Sequence, residues 1–183
     1  MIAAVLGGVL GYERERKGRS VGVRTHMYRG YKKAAAVTAG DERAIRRRDA
    51  FARRFEMLSG TPVATLDFAE AASLGGGRQA LAKLLVKSDF AGGVIFCSSD
   101  QFAQGVLVEA KGRGLSVPQH LAVVGFGDQE FVAYTDPPLT SIRVDRGKLG
   151  SAAADALLSR FAKSASIKAV TDIGFETVER QTS

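Results

Sequence analysis

The stretch Gly93–Phe126, GVIFCSSDQFAQGVLVEAKGRGLSVPQHLAVVGF, decides the fold. It opens on GVIFC and closes on LAVVGF, two short, unbroken apolar runs of the kind found in strands covered on both faces. Between them Ser98-Ser99-Asp100 offers three good caps, and Gln101–Lys111 reads as a helix that Gly112 and Gly114 end. One strand–helix–strand unit is therefore written out in full.

The same alternation extends in both directions. Upstream, Ala44–Leu58 places Ile45, Phe51, Phe55 and Leu58 at helical spacing, with Asp41 as a candidate N-cap. Pro62–Phe68 alternates as a strand, and Leu74–Lys87 reads as a helix beside the breaker triplet Gly75-Gly76-Gly77. Downstream, Leu139–Val144 and Val170–Val178 read as strands on either side of an Ala/Leu-rich helix, Gly147–Phe161. Strands alternating with helices specify an α/β fold, a mostly parallel sheet flanked by helices.

Composition narrows the function classes. The chain has 183 residues, of which 45% are hydrophobic, so it can bury a sizeable core. Its single cysteine, Cys97, forbids an intrachain disulfide and a cysteine-based zinc site, and favours a reducing, cytoplasmic setting. With two histidines, His26 and His120, neither a histidine-built metal site nor a triad is expected. The net charge of +7 invites a nucleic-acid reading, but its position argues otherwise. Residues 1–58 carry 14 Lys/Arg against 6 Asp/Glu, whereas residues 59–183 carry 12 against 13. The basic excess belongs to the first third alone.

That first third divides at about residue 36. Met1–Tyr12 is an apolar run of 12 residues, too short for the roughly 20 that span a bilayer, so no membrane partner is expected. Its charges come after the apolar run instead of preceding it, unlike a signal peptide. Leu10–Met27, LGYERERKGRSVGVRTHM, resembles the opening of the MgtC/SapB family of small membrane proteins. The resemblance stops there, without the family's further apolar spans. Residues 1–36 are thus expected to be a leader fragment and junction, and 37–183 the folded body.

In a sheet of this kind ligands bind beyond the carboxyl ends of the strands. Three such ends carry polar groups: Ser98-Ser99-Asp100, Gly127-Asp128-Gln129-Glu130, and Glu70 with Ser73 after PVATLDF. They suit a small polar ligand, although Ser and Asp at these places are also ordinary helix caps. Gly125-Phe126-Gly127 lacks the third glycine of a dinucleotide fingerprint, and no cofactor is expected. No Walker A, G-x-S-x-G or H-E-x-x-H motif occurs, and no acid–base pair assembles, so no enzyme is expected.

The run from Phe96 to Leu158 is similar to the effector-binding domain of LacI/GalR-family transcriptional repressors. The shared signature is ordered: Ser99-Asp100, then Ala103-Gln104-Gly105, Gly114–Pro118, Val123–Asp128, Pro137–Arg143 and Leu149-Gly150. GDERAIRRRDAF resembles the arginine-bearing helix that begins this half, and GFGD with the closing DIGFETVERQTS looks most like the gluconate-repressor branch. The resemblance implies one subdomain of a periplasmic-binding-protein-like fold that forms a homodimer and senses a small sugar or sugar acid, gluconate being the candidate. By the same resemblance Arg47 is the arginine that binds effector hydroxyl or carboxylate groups. Phe68 falls near the aromatic that packs on the ligand, and Ser99 stands where many members carry asparagine. Asp100 matches the aspartate beside it. The family's aspartate after the aromatic is Gly127 here, with Asp128 one place later. The headpiece that reads operator DNA and the first subdomain are not found in the sequence, so this chain is expected not to bind DNA itself. The alternatives are a solute-binding protein of a sugar transporter and a non-functional gene-fusion remnant.

Overall fold

The computed structural model describes residues 31–87, 90–161 and 171–183. The MgtC-like segment and Val170 lie outside them. Six strands form one sheet: β1 Ala34–Ala39, β2 Ala64–Phe68, β3 Gly93–Cys97, β4 Leu121–Phe126, β5 Thr140–Arg143 and β6 Glu176–Val178. Their spatial order is β2-β1-β3-β4-β5-β6. Every pairing is parallel except β5 with β6, which is antiparallel. The helices are α1 Glu42–Ser59, α2 Leu74–Lys87, α3 Asp100–Gly112 and α4 Arg146–Phe161.

The alternation of side chains along β1 and β3 sorts the core into two layers. Ala35, Val37, Ile95 and Cys97 face α2 and α3, where Leu81, Phe102 and Val106 meet them. Ala34, Ala36, Val94 and Phe96 face the other way, onto Phe51 and Phe55 of α1. Phe51 stacks on Phe96 with ring centroids 5.0 Å apart. α1 starts where Asp41 accepts from the Ala44 amide at 3.0 Å and stops at Gly60, whose φ of 69° only glycine adopts without strain. α4 differs from the others, since none of its residues is buried and Leu149, Leu157, Leu158 and Phe161 are exposed.

Three sequence expectations need correction. β1 begins at Ala34, so the folded body takes in the end of the stretch assigned to the junction. AAAVTA has low strand propensity and was hidden by it; burial between two neighbours overrides that preference. The glycine triplet breaks nothing: Gly75–Gly77 form the first turn of α2. A Cβ on Gly77 would sit 2.1 Å from the Phe102 carbonyl oxygen, and one on Gly105 would sit 2.1 Å from that of Leu74. The two glycines let α2 and α3 touch backbone to backbone, a demand that outweighs their poor helix propensity. Finally, the last strand is short, covering Glu176–Val178 only, and a 3-10 turn at Glu130–Tyr134 went unforeseen.

Because backbone cannot yield as a flexible side chain would, Gly77→Ala and Gly105→Ala should each destabilise the fold by about 1–3 kcal/mol through overpacking. Gly112→Ala, with nothing near its would-be Cβ, is the control. Thermal denaturation of the three variants checks this, and equal melting temperatures would contradict it.

Candidate functional site

Parallel pairing puts the carboxyl ends of β1 to β5 on one edge, and the residues after them form the site. The edge is held by one carboxylate. Asp100 opens α3 immediately beyond β3 and is wholly buried. Its Oδ1 accepts from the Ser141 hydroxyl of β5 at 2.6 Å, and its Oδ2 from the Gln129 amide after β4 at 2.8 Å. A Cβ on Gly125 would lie 2.3 Å from Oδ1, so β4 must carry glycine there for the carboxylate to fit. Ser141 in turn accepts from the Asp128 amide at 3.0 Å. Burial raises the Asp100 pKa above the ordinary carboxylate value, against the opposing pull of Ser141 and Gln129.

Ser99 caps α3, accepting from the Gln101 amide at 3.2 Å. Ser98 ties two strand ends together, its hydroxyl accepting from the Ala39 amide at 3.2 Å. Asp128 is a hub of charge, with a side chain only 5% exposed. It takes Arg143 Nε on Oδ2 at 2.6 Å and Arg180 Nη2 on Oδ1 at 2.8 Å. Its φ of 47° is the one positive value at a non-glycine residue among those described.

Arg47 lies in the second turn of α1 and reaches the edge from the α1 face. Its guanidinium stacks 4.1 Å from the centre of the Phe126 ring and donates through Nη2 to the Ser98 carbonyl at 3.3 Å. Its buried Nε has no hydrogen-bond partner, and neither has the Thr38 hydroxyl near the end of β1. Burial pulls its pKa down while Asp41 pulls it up, and an arginine keeps its charge through such shifts. Neighbouring Arg48 is spent on Asp49 and Asp67, at 2.8 and 2.7 Å. Arg47 is thus the arginine of the RRR run turned toward the edge with donor capacity left.

The five candidates do not form one cluster. Arg47, Ser99 and Asp100 gather around the end of β3, and Asp128 joins them through Ser141. Phe68 goes elsewhere: it packs on the opposite face against Phe102, ring centres 5.4 Å apart, with Lys83 Nζ 5.3 Å from its ring. Beyond β4 and β5 a cleft of about 490 Å³ opens, lined by Gly127, Asp128, Arg143–Arg146, Lys148 and Ile173–Glu176. Of the five, only Asp128 lines it. Sequence reasoning missed Thr38, Phe126 and the residues after β5; VDRGK comes after a strand end as plainly as SSD does and was the signal available. Among the described residues no group of three His, Cys, Asp or Glu could hold a metal, and no helix is long and apolar enough to cross a membrane.

The pH dependence of stability should report Asp100. Between the ordinary aspartate pKa and its raised folded value, the native state keeps a proton that the unfolded chain has released. The group's contribution to stability therefore falls as pH rises through that window. Asp100→Asn should remove this slope from a urea-unfolding series; an unchanged slope would contradict the assignment.

Residues 23–183 match the family described as periplasmic binding protein-like domain. The HTH-type transcriptional regulator GntR of Pseudomonas aeruginosa is 34% identical over 142 residues, which cover 78% of this chain and 38% of that protein. The chain thus spans well under half of that relative's length. Among solved structures, the transcription regulator GntR of Chromobacterium violaceum is 26% identical with a TM-score of 0.74, over 98% of this chain and 63% of that one. The lac repressor dimer bound to operator and the anti-inducer ONPF is 26% identical with a TM-score of 0.73, over 84% of this chain and 53% of that one. A match running across most of its residues, together with this likeness of fold, means that the chain belongs to the periplasmic binding protein-like domain family, in the form carried by LacI-family transcriptional regulators.

Proposed function

We propose that this chain is the ligand-sensing and dimerising part of a cytoplasmic LacI-family transcriptional regulator, and that its ligand is a small sugar or sugar acid, with gluconate the first candidate. The observation that carries this reading is Arg47: a guanidinium stacked on Phe126, pinned to the Ser98 carbonyl, with a buried Nε left without a partner. A rigid fork of donors, anchored by an aromatic at the strand ends, suits hydroxyl pairs and carboxylates. No thiol competes with this reading, since the single cysteine, Cys97, is buried and burial pushes its pKa up. The role is regulatory and not catalytic.

Ser99 and Asp100 serve the site from beneath, Asp100 by fixing the loops around it. Asp128 serves through Arg143 and Arg180, and Phe68 supports the far side. The homodimer reading draws on a separate surface: Leu74, Val108 and Tyr134 are exposed around the α2–α3 contact, and the Lys111–Asp136 pair at 2.7 Å holds the Tyr134 turn beside α3. DNA reading falls to other parts of the regulator, and five arginines of the described body, Arg48, Arg78, Arg113, Arg143 and Arg180, are paired instead with Asp49, Asp67, Glu109 and Asp128.

Isothermal titration of the purified chain with D-gluconate should show weak, saturable binding that Arg47→Ala lowers at least tenfold, with Arg46→Ala, on the solvent side of α1, unchanged. Equal affinities for wild type and Arg47→Ala would overturn the reading.

A further inference from the structure

The cleft beyond β4 and β5 holds a cation that the Arg47 site does not use. Three cations and three carboxylates line it, and most of them pair. Arg143 is bound to Asp128 and also faces Glu176 at 3.5 Å, and Lys148 sits 3.5 Å from Asp145. Arg146 has no carboxylate partner among the described residues. Its exposed guanidinium donates through Nη2 to the Gly127 carbonyl at 3.3 Å, which holds the group across the mouth of the cleft and leaves its other donors free.

Two features of this sequence shape what can bind there. Position 127 presents no side chain and cannot take one comfortably: its φ is +129°, and a Cβ would meet Asp100 Oδ2 at 3.2 Å. Asp128 offers little to ligand hydroxyls, because its side chain is only 5% exposed and each of its oxygens already receives an arginine, Arg143 or Arg180. Arg146 is thus the lining cation that no carboxylate of the described residues pairs with. Ile173 and Phe175 add an apolar wall suited to the carbon face of a polyol.

We infer that Arg146 is a specificity-determining residue: it anchors an anionic group of the effector in the cleft and so selects acidic sugar derivatives over neutral sugars. The inference rests on the sugar-sensing reading. The recognised chemistry is a carboxylate or phosphate on a polyhydroxylated carbon chain, approached by guanidinium donors on one side and by Ile173 and Phe175 on the other. A charge-assisted, two-pronged hydrogen bond would distinguish acid from neutral analogue far better than shape alone.

Calorimetric titration of the full chain with D-gluconate, D-glucose 6-phosphate and D-glucose tests it, in wild type, Arg146→Gln and Arg146→Lys. At least one anionic compound should bind tenfold or more tighter than glucose, and whichever binds tighter identifies the anion as carboxylate or phosphate. Arg146→Gln should lose at least tenfold for that compound with an unchanged melting temperature, since the side chain is exposed, and Arg146→Lys should keep part of the affinity. If Arg146→Gln binds the anion as wild type does, or glucose binds as tightly, the inference fails. Should that binding still depend on Arg47, the broader sensing reading survives; if none of the three compounds binds wild type, both fall.

Discussion

A buried carboxylate organises the edge of this sheet at which the parallel strands end. Asp100 has no exposed surface, yet it contacts three separate parts of the chain: Ser141 on β5, the Gln129 amide after β4, and the space above Gly125. A buried charge is expensive unless its oxygens are satisfied, and here each oxygen receives a donor. The outcome is a set of loops whose relative positions are locked by one side chain. Ser141 passes the constraint to the Asp128 backbone, and Asp128 passes it through Arg143 and Arg180 to the carboxy-terminal segment. That segment is sewn into the sheet in turn, with the buried Thr182 hydroxyl donating to the Val123 carbonyl at 2.7 Å and accepting from the Thr140 amide at 2.8 Å.

A rigid edge of this kind is what ligand sensing requires. Arg47 and Phe126 stand on the α1 face of the locked strand ends, and the cleft with Arg146 opens beside them beyond Gly127. Two sources of guanidinium donors therefore border one glycine-lined strand end, over a sheet whose five parallel strands all end on that edge. α4, by contrast, takes no part in the core and presents its leucines and Phe161 outward, so its order depends on its own hydrogen bonds and on whatever covers that stripe.

Much of this was legible in the residues. GVIFC and LAVVGF could be recognised as central strands because both faces are apolar, and Asp41 as a cap because a helical pattern begins just after it. AAAVTA could not, since alanine carries no strand signal and the position of β1 between β2 and β3 is decided by contacts distant in sequence. Glycine misled for the same reason: Gly75–Gly77 look like a break, and only the approach of α3 explains a helix there. At the site, the family resemblance singled out Arg47 and the strand-end position singled out Asp100, but neither could distinguish surface contact from support. Asp100 lies beneath the edge and Phe68 on the far face, distinctions set by which side of the sheet each side chain leaves.

The central claim is that a small polyhydroxylated ligand is sensed at the edge that Asp100 holds. Amide hydrogen exchange of the purified chain, with and without saturating D-gluconate, tests it most directly. Exchange should slow in peptides covering Ser98–Gln104 and Gly125–Glu130 while α2, on the opposite face, is unchanged. Protection confined to α2 or α3 beyond Gln104, or no protection anywhere, would contradict it.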